Sequence, residues 1–395
     1  RGYRMLTADF VRDNALYCRD ERLAYLAIHN HFGRGWVAFS DTDIASHERG
    51  YPALRDILGG PVVGGLVFAE DAVAGDLWFA SGRRVLRSAV VLGASYHRMY
   101  PSAPAELESA DPRYDRQARL FGDAGQGVLA GQRVGIIGLG GVGSVASELL
   151  ARLGVGELVL VDPDKLDPTN VPRVVNSTLA DVDTPKVELA KRGALAANPG
   201  VRVDAIARSV VDDDVARQLA TCDSLLLAAD TMQARLVFNA LVHQYLIPGF
   251  QIGSKISVDR STGDVEAVFS VVRSVDPSHG CLICNGLISA ERLAEEALSE
   301  SERRAQRYVD DEDVVAPSVI TLNAVGASIA CNELLMRTVG LRREQDAHDW
   351  QYVDALTGGT RLEVPRKDPA CLECGTTSRS RFARGDGVRL PTRRT

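Results

Sequence analysis

A run of glycines, Gly138-Leu-Gly140-Gly141-Val-Gly143-Ser144, stands between an apolar stretch at 134–137 and a segment of helical periodicity at 145–153. A second strand-like stretch, 157–161, follows and ends at Asp162. Few folds accept that order. A strand must stop, the backbone must turn tightly, and a helix must begin facing whatever lies at the turn. Glycine lets a phosphate approach the backbone closely, and the amides and dipole of a helix start favour its charge. The run therefore predicts a nucleotide-binding strand–turn–helix–strand unit. Asp162, about twenty residues past the glycines, is placed to hold a ribose and suits NAD or ATP equally.

The surrounding chain extends the pattern. Strands at 133–138, 157–162, 202–207, 224–229 and 265–271 alternate with segments whose apolar residues fall at helical spacing, as Val187, Ala190 and Leu195 do. That alternation predicts an α/β fold with a doubly wound, mostly parallel Rossmann-like sheet. Residues 285–316 read as a charged helical excursion, 318–339 as an apolar helix and 351–366 as short strands. Upstream, residues 1–100 mix strands (23–28, 62–68, 85–92) with loops and predict a smaller α+β domain. Residues 101–112, rich in proline, read as a linker and 113–375 as the nucleotide domain. The last stretch, 376–395, with six arginines among Gly, Ser and Thr, reads as a disordered basic tail.

A net charge of −7 over 395 residues argues against nucleic acid as the main ligand. No apolar run reaches the roughly 18 residues that a membrane-spanning helix needs, and no secretory signal opens the chain. A cytoplasmic protein is the expectation. The chain begins on Arg1 rather than Met, so a trimmed or incomplete protein is expected. The seven cysteines are Cys18, Cys222, Cys281, Cys284, Cys331, Cys371 and Cys374. Four of them form two Cys-x-x-Cys pairs, a spacing that lets both sulfurs of a pair reach one tetrahedral Zn²⁺ from a tight turn.

The ordered set of motifs across 111–375 resembles the superfamily of ubiquitin-activating enzymes, including its ThiF/MoeB-type bacterial members. The set comprises Arg113-Tyr114-x-Arg116-Gln117, the glycine loop with Ser144, and Val161-Asp162-x-Asp164. It continues with Asn170-x-x-Arg173, Lys186, Asp230-x-x-x-x-Arg235 and the cysteine pairs. The resemblance implies adenylation, in which a carboxylate attacks the α-phosphate of ATP and pyrophosphate leaves. It also implies ATP, Mg²⁺ and a structural Zn²⁺ held by Cys281, Cys284, Cys371 and Cys374. Gly138, Gly140, Gly141, Gly143, Ser144, Asp162, Asp164 and Asn170 would bind nucleotide. Arg173 and Lys186 would offset phosphate charge, and Asp230 would hold Mg²⁺. Arg116 would reach the phosphates of a second subunit, making a homodimer. Two departures stand out. Thr231 follows Asp230 where relatives carry Asn, and no cysteine occurs between 285 and 330, where many relatives keep an acyl-accepting thiol. Cys331, on the apolar helix, reads first as a core residue.

Near the start, His29-Asn-His31-x8-Ser40-x2-Asp43 follows a strand. Two histidines two apart on a strand point the same way. With Asp43 they make three zinc ligands and leave a fourth position for water. Ser40 could hold an oxyanion. Residues 20–100 thus resemble the JAMM/JAB metalloproteases, which remove ubiquitin-like tags, and the resemblance implies a second, catalytic Zn²⁺. Phe32 stands where the family has proline, and Ser40 is one residue further on than usual. The family's upstream glutamate base has no good counterpart, Glu21 being too near. Either it precedes Arg1 or the domain is degenerate.

The expected function is MgATP-dependent adenylation of the C-terminal carboxylate of a ubiquitin-like protein or small peptide, with a fused tag-removing domain. The alternative is adenylation of a peptide or modified-tRNA carboxylate with a catalytically dead N-terminal domain. A regulatory subunit and a dehydrogenase are the remaining readings.

Overall fold

A computed structural model describes residues 6–60, 62–102, 111–259, 262–297, 317–344 and 350–393. The chain divides into two units, Arg1–Glu108 and Ser109–Thr395.

In the first unit, Thr7 caps α1 (Ala8–Asp20), its hydroxyl accepting from the Phe10 amide at 3.3 Å. Then come β1 (Tyr25–Asn30), α2 (Asp41–Leu58), β2 (Val62–Phe68), β3 (Val73–Phe79) and β4 (Gly82–Val85), whose strands make one sheet in the order β1-β2-β3-β4. β1 and β2 are parallel, which requires the long crossover that α2 supplies; the rest is an antiparallel meander. Ala15, Tyr51 and Leu58 from the two helices close over Tyr25 and Val63 of the sheet. β5 (Ala89–Leu92) and β6 (Tyr96–Met99) form a separate hairpin.

Three sequence expectations change here. The strand expected at 23–28 runs on to Asn30 and takes in His29. The strand expected at 85–92 is broken: Val85 ends β4 opposite Asp76, and pairing resumes at Ala89 with a different partner. The stretch expected as a linker is partly structured. The Val37 amide donates to the Pro101 carbonyl at 2.8 Å, and Pro112 begins the short helical turn that leads into the second unit. Residues 103–110 lie outside the described residues.

The second unit contains α3 (Asp115–Ala130), β7 (Arg133–Ile137), α4 (Gly141–Leu153), β8 (Glu157–Val161), α5 (Lys186–Ala197), β9 (Arg202–Ile206), α6 (Asp213–Leu219) and β10 (Ser224–Leu227). It continues with α7 (Met232–Tyr245), β11 (Gly249–Val258), β12 (Val265–Val275), α8 (Ala290–Ala297), α9 (Ile320–Thr338), β13 (Trp350–Asp354) and β14 (Thr360–Glu363). Its eight strands lie in the order β14-β13-β12-β11-β10-β7-β8-β9. The five from β9 to β11 are parallel and the last three are antiparallel. β11, absent from the sequence reading, is the fifth parallel strand, and the strand expected at 265–271 is instead part of the longer β12, which runs antiparallel to it.

The parallel strands are apolar on both faces because helices cover both. Val142, Ala146 and Leu150 of α4 pack one face with Val187 of α5 and Ala330 and Leu334 of α9. Val215 of α6 and Val237 and Phe238 of α7 pack the other. Connections leave β7 towards β8 on one side and reach β10 on the other. The chain thus switches direction beside the carboxyl ends of β7 and β10, where such sheets open a crevice. The excursion expected over 285–316 contains α8; residues 298–316 lie outside the described residues.

The segment after Gly375, expected to be disordered, is ordered through residue 393. Its arginines meet the acids of α6 and its neighbours. Arg393 Nε lies 2.8 Å from Asp212 Oδ1, and the Thr392 hydroxyl donates to Asp213 at 2.6 Å. Leu390, 2 % exposed, joins the α6–α7 core cluster. Composition alone hid this, because it cannot show that Arg381 and Arg393 have Glu373 and Asp212 opposite them.

His243, in the last turn of α7, is fully buried with both ring nitrogens unpartnered. Burial, helped by the Lys367 charge, pushes its pKa from 6.5 down to about 4. A depressed histidine contributes stability above its unfolded pKa and loses it as pH falls from 6.5 towards 4. That amounts to about 3 kcal/mol. Urea titrations of the protein and of His243→Gln at pH 7.5 and pH 5 should show this part of the acid sensitivity only in the unmodified chain. Equal losses in both would refute the assignment. Among the described residues, no helix is long and apolar enough to cross a membrane.

Candidate functional site: a nucleotide crevice and two metal-ligand clusters

Gly138 leaves β7 with φ of 91°, and a Cβ there would lie 2.7 Å from the Ala229 amide nitrogen. A Cβ on Gly143 would come within 1.8 Å of the Gly138 carbonyl oxygen. Both positions require glycine, as the turn demands. At Gly140, which precedes α4, a Cβ would meet nothing within 4 Å, so this side of the loop is open. The Arg173 carbonyl lies against Gly141, which brings the Asn170–Arg173 segment beside the loop.

Asp162, 5 % exposed, ends β8 and holds the loop in place. Its carboxylate accepts from the Leu139 amide at 2.6 Å and the Asp164 amide at 2.8 Å. Burial lifts its pKa above the usual carboxylate range, against the pull of those two bonds. Each oxygen keeps a lone pair for a hydroxyl donor. Lys186, at the start of α5, is largely buried and places Nζ 2.8 Å from Asp164 Oδ2. Asn170 is buried, and Arg173 is half-buried with Nη1 donating to the Thr169 carbonyl at 2.8 Å. Ser144, expected to touch nucleotide, is 1 % exposed, and its hydroxyl accepts from the Val175 amide at 3.2 Å. It clamps the Asn170–Val175 loop to α4.

Asp230 is exposed just past β10. Thr231 is the N-cap of α7, its side chain accepting from the Ala234 amide at 3.2 Å. This accounts for threonine at that position, since it satisfies an orphan donor as Asn would. Sequence reading missed a second partner of the same helix end. Glu296 of α8 accepts from the Met232 amide at 2.8 Å and the Gln233 amide at 2.9 Å. With more than sixty residues between them, no local pattern could signal this contact. Arg116 is exposed on α3. The neighbouring Gln117 ties that arm down by donating to Gln126 and to the Leu153 carbonyl at 2.7 and 2.9 Å.

The sulfurs of Cys281, Cys284, Cys371 and Cys374 all lie within 4.8 Å of one another. The Cys281–Cys371 and Cys284–Cys374 separations are 3.7 and 3.5 Å. Tetrahedral Zn²⁺ with Zn–S near 2.3 Å needs sulfurs about 3.8 Å apart. The donor set therefore fits zinc and leaves no position open. Cys331 and Cys222 are different. Burial pushes each thiol up to about 12, and Cys331 Sγ faces the Ala146 carbonyl inside the core. Neither is a nucleophile at neutral pH.

In the first unit, His29, His31 and Asp43 form a second cluster within the same 4.8 Å limit. Each histidine Nε2 is 3.6 Å from Asp43 Oδ2. His31 Nδ1 lies 3.1 Å from the Ala38 carbonyl, so Nδ1 carries the proton and Nε2 keeps its lone pair. His29 Nε2 is buried without a hydrogen-bond partner. Burial lowers the His29 pKa, with Asp43 opposing. Two imidazole nitrogens and a carboxylate oxygen converging in this way are a donor set that suits a divalent metal. Ser40, expected to hold an oxyanion, caps α2: it donates through Oγ to Asp43 at 2.7 Å and accepts from the Asp43 amide at 3.2 Å. Behind the cluster, His47 and Asp76 form a buried pair at 2.8 Å, which Arg83 and Trp78 complete. Sequence reading treated His47 as ordinary; its position one turn after Asp43 on α2 was the available signal.

With this geometry in view, comparison with known proteins is informative. The ThiF family model matches residues 114–373, more than half of the chain. The molybdopterin-synthase adenylyltransferase of Escherichia coli is 37% identical over 274 residues, covering 69% of this chain and 99% of that protein. The SAMP-activating enzyme E1 of Haloferax volcanii is 37% identical over 129 residues, covering 32% of this chain. The chain spans only about half (48%) of that relative's length. A crystal structure of E. coli MccB with ATP aligns with TM-score 0.52 at 21% identity, covering 67% of this chain and 75% of that one. At that identity it speaks for the fold alone. The family match over most of the second unit and the identity across nearly the whole of the E. coli adenylyltransferase place the chain in the ThiF family.

Proposed function

We propose that this protein binds MgATP in the crevice above β7 and β10 and adenylates the C-terminal carboxylate of a ubiquitin-like protein or small peptide. The observation that carries the reading is the convergence on one sheet edge of an open glycine loop, the buried acid Asp162, the cations Arg173 and Lys186, and the exposed acid Asp230. In this reading the adenosine ribose meets Asp162, and the phosphates lie along Gly140 and the start of α4. Lys186 leaves its contact with Asp164 to share a phosphate oxygen, and Arg173 takes another. Both offset the charge that builds as the carboxylate attacks the α-phosphate and pyrophosphate departs. Bound Mg²⁺ would supply charge neutralisation on the leaving phosphates, with Asp230 as its protein ligand. Arg116 completes the site in a second copy, making a homodimer.

Names of relatives support the substrate class. Besides the two proteins above, the ThiS adenylyltransferase of E. coli is 35% identical over 130 residues. With no reactive thiol near the crevice, the acyl-adenylate passes directly to an acceptor instead of forming a thioester on this chain. The test is pyrophosphate exchange into ATP, run with a ubiquitin-like carrier ending in glycine and with a short peptide. Exchange with neither sinks the reading. The tRNA threonylcarbamoyladenosine dehydratase of Bacillus subtilis, 42% identical over 94 residues, keeps a second reading open, in which the activated carboxylate belongs to a modified tRNA base. Exchange driven by modified tRNA alone would select it.

For the first unit we propose a Zn²⁺ site of His29, His31 and Asp43 like that of JAMM metalloproteases, acting on the same class of tag. Its support is the convergence of both Nε2 atoms on Asp43, each 3.6 Å from Oδ2. Loss of cleavage of a tag–protein fusion on His31→Ala would agree; cleavage unaffected by that change would not.

A further inference from the structure

Arg273 sits near the end of β12 in a valine-rich run, Val271-Val272-Arg273-Ser274-Val275, yet it is only 9 % exposed. It faces Gln251 across the β11–β12 pair and Trp350 across β12–β13. Gln251 in turn is level with Leu227, the last residue of β10. This row therefore continues the carboxyl-end edge of the parallel sheet, three residues short of Asp230. Gln251 and Tyr352 accept from the two terminal nitrogens of Arg273, the latter at 3.1 Å. Both are neutral. Its guanidinium also stacks near the Trp350 and Tyr352 rings, 5.2 and 5.3 Å from their centroids.

A second guanidinium lies nearby. Arg235, in the second turn of α7, is partly exposed and donates through Nη1 to the Leu287 carbonyl at 3.0 Å. Burial first, and then the Arg273 charge, lower its pKa. The Nε of each arginine is buried without a hydrogen-bond partner. Among the described residues neither arginine forms an ion pair with a carboxylate. The acids whose charges reach Arg235 are Asp230 and Glu296, and the other cation that does so is Arg292 of α8. Both Glu296 oxygens are held by the α7 amides. A cation held out of water with an orphaned donor, as Arg273 is, and with the charge of Arg235 acting on it as well, is unfavourable unless an anion joins it.

From this arrangement we infer that Arg235 and Arg273 form an oxyanion-receiving pair beside the nucleotide crevice, and that its ligand is a carboxylate of the acyl substrate. A planar guanidinium is the group best shaped to take a carboxylate through two parallel N–H bonds. The inference rests on the adenylation reading for the identity of the substrate, though the site is defined by this chain's own residues. It would set specificity: a substrate tail with an acid at the matching position gains a contact that a neutral tail lacks.

The test uses the intact protein, with ATP, N-acetylaspartylglycylglycine as the carboxylate probe and N-acetylalanylglycylglycine as its neutral counterpart, as separate titrants in calorimetry. The variants are Arg273→Gln and Arg235→Gln, each checked for unchanged circular dichroism, with Arg273→Lys as the charge-keeping control. The inference expects each Gln variant to bind the carboxylate probe at least about tenfold more weakly, Arg273→Lys to recover part of the loss, and ATP affinity to stay within about twofold. Carboxylate binding that survives both Gln changes overturns it. So does an equal loss of ATP affinity, which would assign the pair to phosphate. A protein that never binds ATP refutes the adenylation reading, and the carboxylate titration still decides the pair.

Discussion

Asp230→Ala is expected to lower substrate-driven pyrophosphate exchange by about 100- to 1,000-fold while leaving the thermal midpoint within a degree or two. The two halves of that outcome have separate causes. Asp230 is exposed and takes no part in capping α7, which Thr231 and Glu296 do between them. Removing its carboxylate therefore costs no packing and no helix cap. It would remove the anchor for a dication on the leaving phosphates, an effect felt most where their charge is greatest. Lys186→Met should lower exchange to a similar degree but also disturb the β8–α5 connection, since Lys186 is paired with Asp164. Asp230 is thus the cleaner probe. Exchange within threefold of the unmodified protein would remove it from the metal-binding role.

Cys281→Ala should release one equivalent of zinc and destabilise the second unit by several kcal/mol. In zinc-finger peptides, binding of a structural zinc is worth on the order of 10 kcal/mol, and that energy is folding energy. Here the ion would tie the turn at 281–284 to the one at 371–374. The first presses on the core through Leu282, which is fully buried and donates its amide to Asn239 of α7 at 2.9 Å. The damage should therefore spread from the knuckle to α7. Elemental analysis separates the two clusters. The unmodified chain should carry two zincs, Cys281→Ala one and His31→Ala one. A total of one in the unmodified chain, lost on Cys281→Ala, would leave the N-terminal cluster without metal.

The parallel strands β7 to β10 of the second unit were legible because their signals are local. The glycine loop, the apolar strands and the helical spacing of Val187 and Ala190 are each contained within a dozen residues. The side-chain clusters at Cys281–Cys374 and His29–Asp43 were legible for a similar reason, since Cys-x-x-Cys and His-x-His keep paired side chains together within a turn or strand. What sequence reading missed depends on residues far apart in the chain. Glu296 reaching the α7 amides, Arg273 lining up with Gln251 and the tail arginines finding Asp212 all follow from tertiary pairing. Ser144 shows the remaining limit: its place in the motif was correct, but its hydroxyl serves the neighbouring loop. Ser40 repeats the lesson at the other cluster, where a side chain expected to meet a substrate caps a helix.

The ninety residues between the two cysteine pairs also order events during synthesis. At about 5–20 residues per second, Cys281 and Cys284 leave the ribosome several seconds or more before Cys371 and Cys374 exist. By then the parallel strands and helices α4 to α7 have been made, but the knuckle is open and two thiols can bind metal without closing it. Zinc supply at that moment, rather than the stability of the finished protein, would then set the yield of correctly closed chains.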